Sequence, residues 1–250
     1  LVPPLIFEAA FHMNINDLMR NLPSILLLAV PGVIISAVIV GGLVSFVTPL
    51  ALPAALVFGA LIGATDPVAV VSLFRALGAP KRLAVLMEAE SLCNDGTAIV
   101  IYNIMLTVAL TGSFSLLHGV ADFLMEVAGV IVDGLLLGMV ISLLIARVDD
   151  YLIEITLTTV LAYGAYLLAE RLHFSGVLAV VAAGLVNGNI GPQGMSPTTR
   201  IILFNFWEYV AFLANSFVFL LIGLEIDVPI MISSWEAILW AILAVLAARV

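Results

Sequence analysis

Long apolar runs separated by short polar stretches fill this chain from end to end. Nine can be drawn, near 1–12, 22–47, 50–77, 83–110, 120–147, 151–169, 173–188, 201–225 and 235–250. A helix needs about 20 residues to cross ~30 Å of hydrocarbon. The runs are continuous, whereas the strands of a membrane barrel alternate and are short. Helices also satisfy their own backbone hydrogen bonds in lipid. The pattern therefore predicts an all-α polytopic membrane protein with about nine spans in one membrane domain. The chain opens on Leu1-Val2-Pro3-Pro4, without an initiator Met or a basic leader, and stops inside an apolar run. Its expected status is an internal fragment of a longer protein.

The polar stretches test this division. Arg20, Arg75, Lys81, Arg82, Arg147 and Arg200 all fall in odd-numbered loops, whereas the even loops hold only Arg171. The positive-inside rule then places the odd loops in the cytoplasm. Segments two and three read as a helical hairpin joined through Val47-Thr48-Pro49. The Gly- and Pro-rich stretch GNIGPQGMSPTT, in the region 188–200, reads as a cytoplasmic linker. No strong internal repeat is visible.

Composition agrees with this picture. The chain has 250 residues, 64% hydrophobic and 10% charged, against about 45–50% and about 25% in soluble domains. Eight scattered Lys and Arg residues give no basic patch for nucleic acid. The single cysteine, Cys93, excludes an internal disulfide.

Charge inside a span costs ~2.5–3.5 kcal/mol on insertion scales and marks function. Glu8, Asp66, Glu90 and Asp95 fall well inside spans, with Asp133 and Glu208 weaker cases. In GATDPVAV (63–70), Pro67 lacks an amide hydrogen and pushes Asp66 out of helical geometry. Thr65 or Asp66 is the expected N-cap, with Pro67 first in a new helix. A helix restarting within a span leaves free carbonyls on one side and a positive dipole end on the other. Secondary transporters coordinate ions with such breaks; the structural reading is a simple proline kink.

In MEAESLCNDGTAIVIY (87–102), Ser91 and Asp95 are four apart and share a helix face, with Asn94 beside them. Glu90 points well round the helix, toward a partner helix. The only basic residue within a span is Arg249, and arginine pairs with carboxylates in a bidentate fork. A structural Glu90–Arg249 ion pair is expected, against the alternative that Arg249 snorkels to the membrane edge. A carboxylate among hydroxyl, amide and backbone oxygens suits a hard monovalent cation. Desolvation also lets such a group take a proton. Cation and proton then compete for one site.

These stretches, together with LVPPLIFEAAFHMN (1–14), SGVLAVVAAGLVNGN (175–189), FWEYVAFLANSFVFLLIGLEI (206–226) and ILAVLAARV (242–250), resemble the cation:proton antiporter superfamily. The similarity is to its sodium/proton antiporter and exchanger branch with the Asn-Asp motif. The resemblance implies a thirteen-helix homodimeric fold with a scaffold or dimer domain and a core. Core-type helices would be about 50–110 and 235–250, with scaffold, dimer and connecting helices elsewhere. Two helices at each end, one of them the second unwound helix, would lie outside this chain. Without them it would not transport alone. The resemblance also implies that Asp95 binds ion and proton, and that Asn94 is its polar neighbour. Ser91, the Thr65 backbone and Glu8 would complete the coordination. Asp66 would balance helix-end charge at the crossing, and Glu90 and Arg249 would form the structural pair. Transport would be electroneutral exchange of Na⁺, Li⁺ or K⁺ for H⁺ in the plasma membrane, with no cofactor.

Other residues take structural readings. His12, His118 and His173 lie near span ends, as interfacial groups, with pH sensing a minor alternative for His173. Trp207, Trp235 and Trp240 read as belt or packing aromatics. The roles of Asp133, Glu208 and Asn215 stay open. An intramembrane aspartyl protease would need a Gly-x-Gly-Asp stretch, which is absent. A channel filter would need a Thr/Gly-rich loop, likewise absent. An organic-solute symporter would show aromatic or basic groups near the break. A non-transporting homologue would tolerate loss of Asp95.

Overall fold

The computed structural model describes residues 1–112, 116–148 and 150–248. Each of the nine apolar runs holds helix, and no strand occurs among the described residues. The elements are α1 (Val2–His12), α2 (Ile15–Leu27), α3 (Val33–Val47), α4 (Leu52–Leu61), α5 (Val68–Ala76) and α6 (Lys81–Thr111). They continue with α7 (Leu116–Ile145), α8 (Tyr151–Arg171), α9 (Gly176–Ile190), α10 (Pro197–Glu225), α11 (Val228–Ser233) and α12 (Trp235–Ala248). A π-helical turn, Leu28–Gly32, joins α2 to α3. Five helical stretches are long and apolar enough to cross a membrane, the longest being Ile15–Val47. The protein is integral and multi-pass.

Local chemistry sets the ends. Pro3 and Pro4 occupy the first turn of α1, where a missing N–H costs nothing. Asp150 caps α8 by accepting from Leu152 N at 2.9 Å, and Ser175 caps α9 by accepting from Leu178 N. Gly78 (φ 67°) and Gly112 (φ 70°) end α5 and α6 in the left-handed conformation. His173 takes the same conformation after α8 (φ 62°), and Phe174 N there donates back to Ala169 O at 2.8 Å. Little of the 188–200 stretch is irregular. A short 3₁₀ turn, Gly191–Gln193, follows α9, and α10 starts on Pro197. Ser196 Oγ accepts from Thr199 N at 3.2 Å in its first turn.

The chain divides into two compact units, one of 1–21 and 122–221, the other of 22–121 and 222–250. In the first, α9 packs on α1 and α8. Trp207 is fully buried, tilted against Phe7 with centroids 4.4 Å apart, and its indole N–H donates to Thr158 Oγ at 3.1 Å. Phe11, Phe204 and His12 extend this cluster. Trp207 is therefore a packing residue, whereas Trp235 and Trp240 are exposed. In α9, Asn187 Nδ2 donates to Ser142 Oγ at 3.0 Å, and Gly184 and Gly188 admit the α1 backbone.

In the second unit α3 and α4 form the expected hairpin, joined by residues 48–51. Their interface is made of small residues: Ala37, Gly41, Ala55, Gly59 and Ala60. A methyl on Gly59 would overlap the Ala37 carbonyl oxygen and sit 3.0 Å from Gly41 N. Val33, Ala37, Ala60, Ala98 and Ile101 form one buried cluster, uniting α3, α4 and α6. Val40, Val44, Ala55 and Ala244 form another, bringing in α12.

Gly59→Ala is expected to destabilise the whole protein by ~1–3 kcal/mol through overpacking, lowering its thermal unfolding temperature. Gly42→Ala, where a new methyl meets nothing within 4 Å, should leave it near the wild-type value.

Candidate functional site

The site lies in the second unit, where α4 stops at Leu61 and α5 begins at Val68. The span is thus interrupted over residues 62–67. The first backbone bond of α5 runs from Val71 N to Pro67 O at 2.8 Å. Pro67 therefore stands at the cap itself, one residue earlier relative to the helix than expected. Proline has no N–H to lose in either place. Thr65 is released from capping, and its polar groups turn to α6.

Three bonds tie Thr65 to α6. Ser91 Oγ donates to the Thr65 carbonyl at 2.6 Å. Asn94 Nδ2 donates to Thr65 Oγ at 2.9 Å. Thr65 N donates to Asn94 Oδ1 at a long 3.5 Å. Asn94 Nδ2 also donates to Glu90 Oε1 at 2.9 Å. Ser91 and Asn94 are buried, so these bonds satisfy backbone and side-chain groups that water does not reach.

Asp95 is half-buried next to this network. Its carboxylate receives no hydrogen bond from the described residues, although Asp66 and Glu90 act on it electrostatically. The structure thus brings Thr65, Glu90, Ser91 and Asn94 into one bonded cluster flanked by Asp95. Asp66 is exposed, just ahead of α5, where a helix N-terminus favours an acid.

Glu90, expected round α6 from Asp95 and facing another helix, is four residues from Asn94 and bonded to it. The (i, i+4) spacing that joined Ser91 to Asp95 also joins this pair. Arg249, its expected partner, lies outside the described residues.

Glu8 lies on α1, in the first unit. His12 Nδ1 stands 3.2 Å from its Oε1 and 2.8 Å from its backbone oxygen. His12 is thus an (i, i+4) partner of an acid. The side chain of His118 is outside the described set. Glu208 and Asn215 are exposed on α10. A fully buried acid, Glu154 in the first turn of α8, went unmarked in the sequence because it follows the charged pair Asp149-Asp150 at a span edge.

Residues 1–250 match the family described as sodium/hydrogen exchanger, transmembrane. The chain belongs to the sodium/hydrogen exchanger family. This is a family of transporters, not enzymes. The chain is 44% identical over 250 residues to the Na(+)/H(+) antiporter ApNhaP of Aphanothece halophytica, covering 99% of this chain and 48% of that protein. It is 43% identical over 253 residues to the Na(+)/H(+) antiporter NhaG of Bacillus atrophaeus, with 99% and 48% covered. It therefore spans about half the length of these relatives. Among solved structures it resembles the sodium proton antiporter MjNhaP1 of Methanocaldococcus jannaschii, with TM-score 0.81 and 25% identity, covering 99% of this chain and 62% of that one.

Asn94 satisfies both Thr65 and Glu90, so Asn94→Ala should cost about 1 kcal/mol of stability by leaving half-buried acceptors without their donor. Asn94→Asp sets a carboxylate against Glu90. Its thermal stability deficit relative to wild type should shrink as pH falls, because protonating either acid removes the repulsion. A deficit constant from pH 9 to pH 5 would show that Glu90 does not face position 94 as described.

Proposed function

We propose that the whole protein exchanges a monovalent cation, Na⁺ or alternatively Li⁺ or K⁺, for H⁺ across a membrane, by competition at Asp95. The carrying observation is an unbonded, half-buried carboxylate beside an interrupted helix whose Thr65 carbonyl and hydroxyl are held in place from α6. In its charged form Asp95 supplies one anionic oxygen ligand. Ser91, Asn94 and the Thr65 backbone supply neutral oxygens, the hard-donor set that alkali ions favour over nitrogen and sulfur. In its protonated form it no longer balances the cation's charge, and the ion leaves. Electroneutral exchange, one cation per proton, is carried over from the family resemblance, in which Asn94 stands in place of a second aspartate. The names of the relatives, all Na⁺/H⁺ antiporters, support the choice of ions.

Glu8 enters this proposal as a further ligand, and Asp66 as the balancing charge at the break, through the family resemblance. The helices of 50–110 and 235–250 are assigned to the ion-carrying core and the others to scaffold and dimer contacts. The 188–200 stretch is assigned to the cytoplasmic side and the homodimer to the plasma membrane. The Glu90–Arg249 pair is assigned a structural role, with Asn94 as a second partner of Glu90. A channel or symporter needs no coupled proton release, and the exchange assay separates these readings.

In everted vesicles carrying the full-length protein, Na⁺ addition should dequench a pH dye, and Asp95→Asn should abolish the signal. The cation KM should rise as pH falls, by up to about tenfold per unit once protons dominate the site, because ion binding displaces one proton. Wild-type exchange in Asp95→Asn, or a KM indifferent to pH, would overturn the mechanism.

Glu90→Gln and Arg249→Gln should each lower the thermal unfolding temperature more than they change the cation KM. The reverse pattern would place the pair in transport.

A further inference from the structure

We infer that a groove beside Asp133 on α7 is a further binding site, and that it takes an organic ammonium ion carrying an apolar body. The groove belongs to the unit of α1 and α7–α10 and uses no residue of the Asp95 site. Its volume is about 440 Å³, within the ~300–1,000 Å³ of small-molecule sites. Gly129, Val132, Leu136, Leu172 and Phe174 form its walls, and Asp133 is the one charged residue in its lining among the described residues. Asp133 is only 9% exposed, and its Oδ2 is buried with no hydrogen-bond partner among the described residues.

That combination is costly unless something answers it. A buried carboxylate oxygen without a donor keeps the full desolvation penalty. The local backbone fixes how the walls meet. Gly129 has no side chain, and a methyl there would come within 2.5 Å of the Phe174 ring. Phe174 and Leu172 flank His173, whose left-handed φ of 62° forms the turn between α8 and α9. Both walls are therefore set by backbone geometry.

The lining selects the chemistry. A small alkali or divalent ion needs several oxygen ligands at once, and one carboxylate in an apolar wall does not supply them. An ammonium ion with apolar substituents surrenders little hydration. It can set its charge beside the Asp133 carboxylate, its body on Val132 and Leu136, and its cationic carbon shell against the Phe174 ring. The occupant is a free amphipathic amine, and a phospholipid headgroup, which carries the same ammonium chemistry, is an outcome of the test.

The test uses purified full-length protein in a non-ionic detergent with radiolabelled benzyltrimethylammonium. Saturable binding is expected, weakened about tenfold or more by Asp133→Asn, which removes one member of a buried charge pair. Phe174→Leu should weaken it about threefold. The neutral carbon isostere neopentylbenzene should not compete. No saturable binding to the wild type would overturn the inference, as would equal binding by Asp133→Asn, equal competition by the neutral isostere, or displacement by added phosphatidylethanolamine. Should Asp133→Asn fail to fold, the charged and neutral probes compared on the wild type still decide. Exchange by the Asp133→Asn protein serves as its folding control, and loss of the Asp95 mechanism would leave these binding outcomes unchanged.

Discussion

The hydrogen bonds that α6 makes to Thr65 are the constraint on which the candidate site depends. A helix interrupted within hydrocarbon exposes backbone groups that lipid does not satisfy. Ser91 meets that need by donating to the Thr65 carbonyl at 2.6 Å, and Asn94 Oδ1 by accepting from Thr65 N at 3.5 Å. The break is thereby stabilised by a neighbour and not by its own sequence. Because Ser91 and Asn94 are engaged there, the carboxylate of Asp95, on the same helix, is left without a donor from the described residues. A polar neighbour with both a donor and an acceptor is required at position 94. Asn94 gives its amide to Thr65 and Glu90 and its oxygen to Thr65 N.

The two units are held by different means. Around Trp207 the first unit uses large aromatic rings, with polar atoms paired inside, as in Trp207–Thr158 and Asn187–Ser142. The second unit uses alanine and glycine at the α3–α4 contact, and α6 bonds to another element at the break. Lipid offers no hydrophobic driving force between helices, so close backbone approach through small residues carries more of the packing there.

Much of this was legible from residue order. Apolar runs located the long helices, though not the short α11 between the last two runs, and Thr65-Asp66-Pro67 marked the interruption, because proline and its predecessor both resist continuing a helix. The partners across helices were less legible. Ser91 and Asp95 could be placed on one face by spacing, but the same spacing also joins Glu90 to Asn94. Only the position of Thr65 decides which pairs face inward. Glu154 escaped notice because burial depends on what packs over a helix end, which local composition does not record. The helices α1 and α9, of 11 and 15 residues, are about as short as the runs 1–12 and 173–188 that located them.

The contact between α3 and α4 has a mechanical consequence. Alanine and glycine have no rotamers to reorder, and Gly59 lies against main-chain atoms of Ala37 and Gly41. At the Gly59 contact nothing can yield by swapping side-chain conformers, so α4 is held there as it delivers the chain to residue 62. Compliance in this span is therefore concentrated in the six residues from 62 to 67, where the backbone itself, not its support, has torsional freedom.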